Sequence, residues 1–302
     1  MKKIKYFIVF IFLGALVWYL FIKPHDYTIR FKVKTSPGNL SNSVEEWNLI
    51  NQELDSFNYK ITDKKAYSYI NQTLNIKKRN LDLNWNFESL NDTITHVVVN
   101  VSEKRNAIYN RLTIPFLDTP FKETTLYLIR DYKKEIENQL EKKFKVENIR
   151  IDTIPETAYA YIAFKDVDMR KKAAQMMRFN SKLLEFIHLH ELKNGNYPFL
   201  IVENWDLNKN RIDFRFCFPI KQKDAMPNHD YIKYDILQSK KVLKADYYGN
   251  YITSDRAWFA LHEYAKRHNL AIENKPLEIF YNNPHYGGDE LKWKAEVFMP
   301  IK

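Results

Sequence analysis

The spacing of hydrophobic and polar positions changes several times along this chain. Tyr6 to Ile22 is a run of 17 residues without a charge, at the short end of what spans a bilayer as a helix. After Pro24 the pattern turns to alternation in Tyr27-Thr-Ile-Arg-Phe-Lys-Val-Lys34, which predicts a half-buried strand. Ser36-Pro37-Gly38 reads as a turn, and Asn39–Asn51, which carries Trp47, as a short helix. Strands are predicted over Ala66–Ile76, Asn80–Leu90 and Thr93–Val101, with the turn cluster Ser89-Leu-Asn-Asp92 between the last two. From Phe121 to Phe144, Leu126, Ile129, Ile136 and Leu140 fall at helical spacing among charges, which predicts a long amphipathic helix.

From Glu147 a second organisation begins. Asn148–Phe164 reads as a strand pair interrupted at Pro155. Asp168–Leu192 reads as a long helix, with Asp166 or Asp168 as N-cap and Gly195 just past its end. A hairpin is predicted over 198–221 and a loop over Gln222–Asp230. Tyr231–Tyr251 then reads as a strand, Ser254–His268 as a helix and 276–302 as a hairpin. These halves repeat each other. Phe218-Pro-Ile-Lys221 and Met299-Pro-Ile-Lys302 lie 81 residues apart, and Pro198 and Pro276 lie 78 apart. Two β-α-β-β units side by side predict one antiparallel sheet with both helices on one face. Where the first copy has Leu200 the second has Glu278, so a carboxylate enters a strand of aromatic and aliphatic neighbours.

Composition leaves this picture standing: 45% hydrophobic and 28% charged residues suit a folded chain, and 302 residues give room for two domains. Charge needs more care. The net charge of +10 invites a nucleic-acid partner, yet seven basic residues against Asp26 put +6 of it in the first 34 positions. The basicity flanks the apolar run and lines no groove, so nucleic acid is not expected as a partner. No small-residue cleavage site follows the bulky Trp18-Tyr19-Leu20-Phe21-Ile22. Residues 6–22 therefore read as an uncleaved signal anchor rather than a signal peptide, with Trp18 and Tyr19 suited to an interfacial belt. The lysine-rich first five residues are awkward to translocate, which favours an extracytoplasmic body.

Cofactor chemistry is sparse. Cys217 is the only cysteine, so no intrachain disulfide forms. His188 and His190 do not share a helix face, and His96, His229, His262, His268 and His285 are scattered. No metal is expected. Six glycines in the whole chain form no phosphate-cradling loop, and no cofactor is expected.

Two family resemblances follow from quoted segments. "YTIRFKVKTSP", the Trp47 helix and "LDLNWNFESLNDTITHVVVNV" resemble the START-like, helix-grip superfamily called SRPBCC, over residues 25–146. That resemblance implies a long helix closing a curved sheet over an apolar cavity; the bland alternative is a packed spacer. "VLKADYYGNYITSDRAWFALHEYAKRHNL", "KPLEIFYNNP" and "WKAEVFMPIK" resemble the GyrI-like effector-binding domain, over residues 147–302 with repeats 147–221 and 231–302. The expected chain is thus α+β throughout: a transmembrane anchor with its flanks over 1–24, a helix-grip-like antiparallel sheet, then the duplicated unit.

The second resemblance implies a small-molecule pocket lined by the residues matching the family's glutamate and aromatic positions. Glu278 is the expected anchor, with Phe280, Trp258, Tyr248 and Tyr161 as its ligand-binding aromatic wall. A carboxylate among rings attracts lipophilic cations, so the expected partner is a hydrophobic ligand and, where charged, a cation. The family usually has tyrosine where this chain has Phe280, which removes a hydroxyl unless Tyr281 supplies one. Some free-standing relatives are hydrolases of strained or electrophilic molecules, so the alternative makes a desolvated Glu278 the general base. The family also occurs in bacterial transcription regulators, but neither soluble region here reads as a helix-turn-helix.

Overall fold

The computed structural model of the chain describes residues 2–50, 57–76, 79–91, 94–195 and 197–302. It separates into two compact units, Met1–Glu137 and Asn138–Lys302. Asn51, Asp92 and Thr93, which fall in the expected helix end, turn and strand start, lie outside the described residues.

The first unit opens with α1 (Lys2–Val17), which continues as a wider π turn over Trp18–Ile22. Together Lys3–Ile22 is long and apolar enough to cross a membrane, and none of these residues is buried. Next come β1 (Tyr27–Val33), α2 (Pro37–Ile50), β2 (Phe57–Lys65), β3 (Tyr69–Ile76), β4 (Arg79–Asn91), β5 (Ile94–Ser102), α3 (Ala107–Thr113) and α4 (Pro120–Lys142). The strands form one antiparallel sheet in the order β1-β5-β4-β3-β2. Period two works as the sequence suggests: Leu81, Leu83, Trp85 and Phe87 alternate inward on β4, and Val97, Val99 and Val101 on β5. Between this sheet and α2 and α4 the space is filled by Trp47, Trp85 and Tyr132. Their ring centroids lie 5.1 to 6.1 Å apart. Two elements here escape the sequence pattern, β2 and α3.

The second unit contains β6 (Phe144–Ile154), β7 (Thr157–Asp168), α5 (Lys172–Leu189), β8 (Phe199–Asp206), β9 (Arg211–Pro219), β10 (Lys233–Leu237), β11 (Lys240–Gly249), α6 (Asp255–Arg267), β12 (Leu277–Phe280) and β13 (Lys294–Pro300). Eight strands make one antiparallel sheet in the order β10-β7-β9-β8-β12-β13-β11-β6. The expected single strand over Tyr231–Tyr251 is in fact two. β10 pairs with β7 at one edge, while β11 joins β13 and β6 near the other. Only Gln238 and Ser239 separate them, so their ends lie no more than about 11 Å apart. The sheet must therefore curl, and strands from both edges meet in one apolar cluster of Ile154, Tyr159, Phe199, Cys217, Leu237, Val242, Leu277 and Phe298. The helices α5 and α6 cover the opposite face.

Gly249 ends β11 at φ +148°, and a Cβ there would stand 2.7 Å from the Tyr247 hydroxyl and 2.8 Å from the Lys143 carbonyl oxygen. Tyr247 cannot yield, because its hydroxyl also bonds to the Asn250 carbonyl and Thr253 Oγ1, both at 2.8 Å. Gly249→Ala should destabilise this unit by roughly 2–4 kcal/mol, read as a lowered denaturation midpoint in urea.

Candidate functional site

The short strand β12 places its side chains alternately. Leu277 and Ile279 join the apolar cluster on the helix-free face, so Glu278 and Phe280 point toward the helices. Glu278 lies beside Leu200 of β8 in register, which sets these two positions next to each other at the middle of the sheet. Glu278 is fully buried. A bare carboxylate there would be prohibitive, and its partners explain its survival. Lys172, at the first turn of α5 and equally buried, donates from Nζ to Glu278 Oε1 at 3.0 Å and reaches Oε2 at 3.4 Å. Ser254, at the start of α6, donates from Oγ to Oε2 at 2.7 Å and accepts from Lys172 Nζ at 2.6 Å. The ammonium also lies 4.8 Å from the Trp258 ring centroid, a favourable cation–π contact.

Burial raises the Glu278 carboxyl above its usual range, and the Lys172 ammonium and Ser254 hydroxyl reduce that rise without cancelling it. The result is a closed, charge-balanced triad under the helix face. Lys172 carries no signal as a single residue, but its position did. Met169, Lys172, Ala173, Met176, Leu183 and Ile187 are the buried side of the α5 segment. A lysine inside such a stripe needs a buried anion.

In front of the triad lies a cavity of about 410 Å³ between α5, the Asn250–Ile252 turn and the 280–285 segment. Its floor is apolar and aromatic: Met176, Phe216, Phe218, Tyr251, Phe280 and Trp293, with amides of Asn180, Asn282 and Asn283 at the rim. The rings interlock, with Tyr251 4.8 Å from Phe280 and 5.9 Å from Trp293. The Tyr251 hydroxyl donates to the Lys294 carbonyl at 2.8 Å and accepts from the Asn282 N–H at 3.0 Å. Burial raises its pKa to about 12, so it stays neutral. Ala173 and Phe280 line this cavity, whereas their chain neighbours Lys172 and Glu278 do not. The triad supports the wall from behind.

The five sequence-predicted residues thus separate. Phe280 lines the cavity, and Glu278 and Trp258 meet behind it through Lys172. Tyr161 is on the helix-free face, under the Arg215 guanidinium at 4.4 Å, because its register partner Cys217 faces the apolar cluster there. Tyr248 pairs with Lys294 and Lys145 at the far side of the sheet and is half-buried away from the cavity. Tyr281 does not restore the hydroxyl missing at Phe280, since its own donates to Glu296 at 2.9 Å. The hydroxyl that reaches Glu278 comes from Ser254. Among the described residues, no cluster of histidine, cysteine and carboxylate side chains could hold a metal.

The GyrI-like small-molecule-binding domain model matches residues 147–302, just over half of the chain. The chain belongs to the GyrI-like family. Its second unit is therefore a small-molecule-binding domain. Among solved structures, the chain is similar to the C-terminal domain of EcmrR, at 16% identity and TM-score 0.44, covering 53% of this chain and 98% of that one. A structure with tetraphenylphosphonium bound is similar at 12% identity and TM-score 0.37, covering 52% and 94%. A hydrolase from Listeria innocua is similar at 13% identity and TM-score 0.36, covering 57% and 98%. No curated protein matches the chain.

Proposed function

We propose that this is a membrane-tethered protein whose GyrI-like domain captures an uncharged, hydrophobic small molecule in the cavity between α5 and the 280–285 segment. The reading rests on one observation: a 410 Å³ cavity floored by aromatic and methionine side chains, with the Glu278 carboxylate behind its wall paired to Lys172. Apolar pockets of a few hundred Å³ with a few polar groups at the rim are the usual form of small-ligand sites. Ligand selectivity for cations, which Glu278 alone would favour, is weak while Lys172 holds it. The two halves of the domain read as copies of one unit, and the second places Glu278 where the first has Leu200, which supplies the carboxylate of the triad. Lys3–Ile22 is a single-pass anchor, the body lies outside the cytoplasm, and the first unit, with its aromatic interior, is a spacer.

Hydrolysis by Glu278 fits the geometry less well. A general base must reach the proton it takes, directly or through one water, and both Glu278 oxygens are occupied by Lys172 and Ser254 in a fully buried position. The test uses the neutral dye N-phenyl-1-naphthylamine with the detergent-solubilised chain, followed by its fluorescence enhancement. Met176→Trp should fill the cavity and weaken binding by about tenfold or more, equivalent to 1.4 kcal/mol. Unchanged dye affinity in Met176→Trp would remove this site from consideration.

A further inference from the structure

A stripe on the first unit is unexplained by its core. Over ten residues of α3 and the turn after it, Ile108, Tyr109, Leu112, Phe116 and Leu117 are exposed, Phe116 to 84%. The other side of α3 is the opposite in character. Asn110 and Arg111 are buried and bind the root of the apolar helix. Arg111 donates from Nε to Asp26 Oδ1 at 3.1 Å and from Nη1 to the Leu20 carbonyl at 2.8 Å. Asn110 donates to Asp26 Oδ2 at 3.2 Å, and the Tyr19 hydroxyl donates back to the Arg111 carbonyl at 3.1 Å. Five exposed apolar side chains are thus held at the level of Trp18–Ile22, where Trp18, Phe21 and Ile22 are themselves exposed.

We infer that α3 and its following turn form a second membrane contact, an interfacial foot inserted in the same leaflet where the apolar helix emerges. The inference rests on the reading of Lys3–Ile22 as a membrane span and extends it. An amphipathic segment lying in the interface buries its apolar side at the boundary of headgroups and acyl chains, and aromatic residues such as Trp18, Tyr19, Tyr109 and Phe116 favour that zone. Lys104 and Arg105, just before α3, suit anionic headgroups. The occupant is lipid, not protein, because the bonds from Arg111 to the Leu20 carbonyl and from the Tyr19 hydroxyl to the Arg111 carbonyl fix the stripe to the last turn of the spanning helix. With two contacts instead of one swivelling helix, the first unit has a set orientation on the bilayer.

The test uses the full chain reconstituted in vesicles of phosphatidylcholine with phosphatidylglycerol. An environment-sensitive fluorophore is attached to Phe116→Cys, to Phe10→Cys in the span, or to Tyr127→Cys, which is exposed on α4. Cys217 is fully buried and stays unlabelled. The foot predicts that the Phe116 label emits to the blue of the Tyr127 label and is quenched several-fold more by lipids carrying a nitroxide high on the acyl chain. Emission and quenching like those at Tyr127 would overturn it. So would a blue-shifted label that lipid nitroxides do not quench, which means a second copy or another protein covers the stripe. The Phe10 label separates the two readings: deep quenching there with a water-exposed Phe116 retires only the foot, while no lipid quenching at Phe10 retires the span itself.

Discussion

Glu278→Gln should lower the stability of the GyrI-like domain by about 3–5 kcal/mol, since it leaves the Lys172 ammonium buried without its counter-charge. At roughly 2–4 °C per kcal/mol for a domain of this size, the thermal midpoint should fall by about 10 °C. Lys172→Met should cost a similar amount, for the mirror-image reason. The informative variant is Lys172→Met with Glu278→Gln together. Both charges are then gone, and the loss should be much smaller than the sum of the two single losses. Thermal unfolding of all four forms, followed by circular dichroism, gives the coupling directly. Additive losses would mean that the 3.0 Å contact between Lys172 and Glu278 has no energetic weight.

Removing Lys172 alone should also change what the cavity selects. In Lys172→Met the Glu278 carboxyl loses the ammonium that favours its ionised form and keeps only the Ser254 hydroxyl, behind Ala173 and Phe280, both of which line the cavity. A lipophilic cation bound there takes over the ammonium's role and favours the ionised carboxyl, aided by the surrounding rings. Affinity for a cationic rhodamine should rise about tenfold over wild type, near 1.4 kcal/mol, while N-phenyl-1-naphthylamine binds as before and reports an intact site. The double variant should lose the new preference. If both dyes gain or lose equally in Lys172→Met, the ligand does not sense Glu278.

Much of the fold was legible because alternation is a strong signal where one face is buried, as on β1, β4 and β5. The two proline-flanked hairpins were legible as strand pairs, and β8 and β12 lie side by side in the one antiparallel sheet. The losses have physical causes. β2 is an edge strand in which Asn58, Lys60, Asp63, Lys64 and Lys65 dilute the apolar pattern; charges blunt edges against stray pairing, and they also hide the strand. α3 is seven residues long and presents its apolar side outward, so its pattern contradicts a soluble amphipathic helix. β10 and β11 are separated by two residues, and nothing local says that they belong to opposite sides of a curled sheet.

The site was legible in part. Alternation put Glu278 and Phe280 on one face of β12, as the structure has them, but Glu278, expected as the ligand anchor, lies behind the cavity wall. Tyr161 and Tyr248 fell on the wrong face because a one-residue choice of parity inverts a strand, and the bulge between Lys244 and Asp246 alters the count on β11. Lys172 was missed because a charge inside an apolar stripe looks like an interruption until its partner, 106 residues away, is in place.

The strand order also governs when this domain can assemble. β13, last of the strands along the chain, lies inside the sheet between β12 and β11, and β6, the first strand of the unit, pairs with β11 almost a hundred residues later. Until β13 has left the ribosome, β6 and β11 have no hydrogen-bonded route to the remaining strands. Pairings of such separation are slow to form, so the nascent domain emerges as two unjoined sheet fragments with exposed apolar strands. For this unit the sheet closes only once β13 is in place, and holdase chaperones should associate with chains in which it is not.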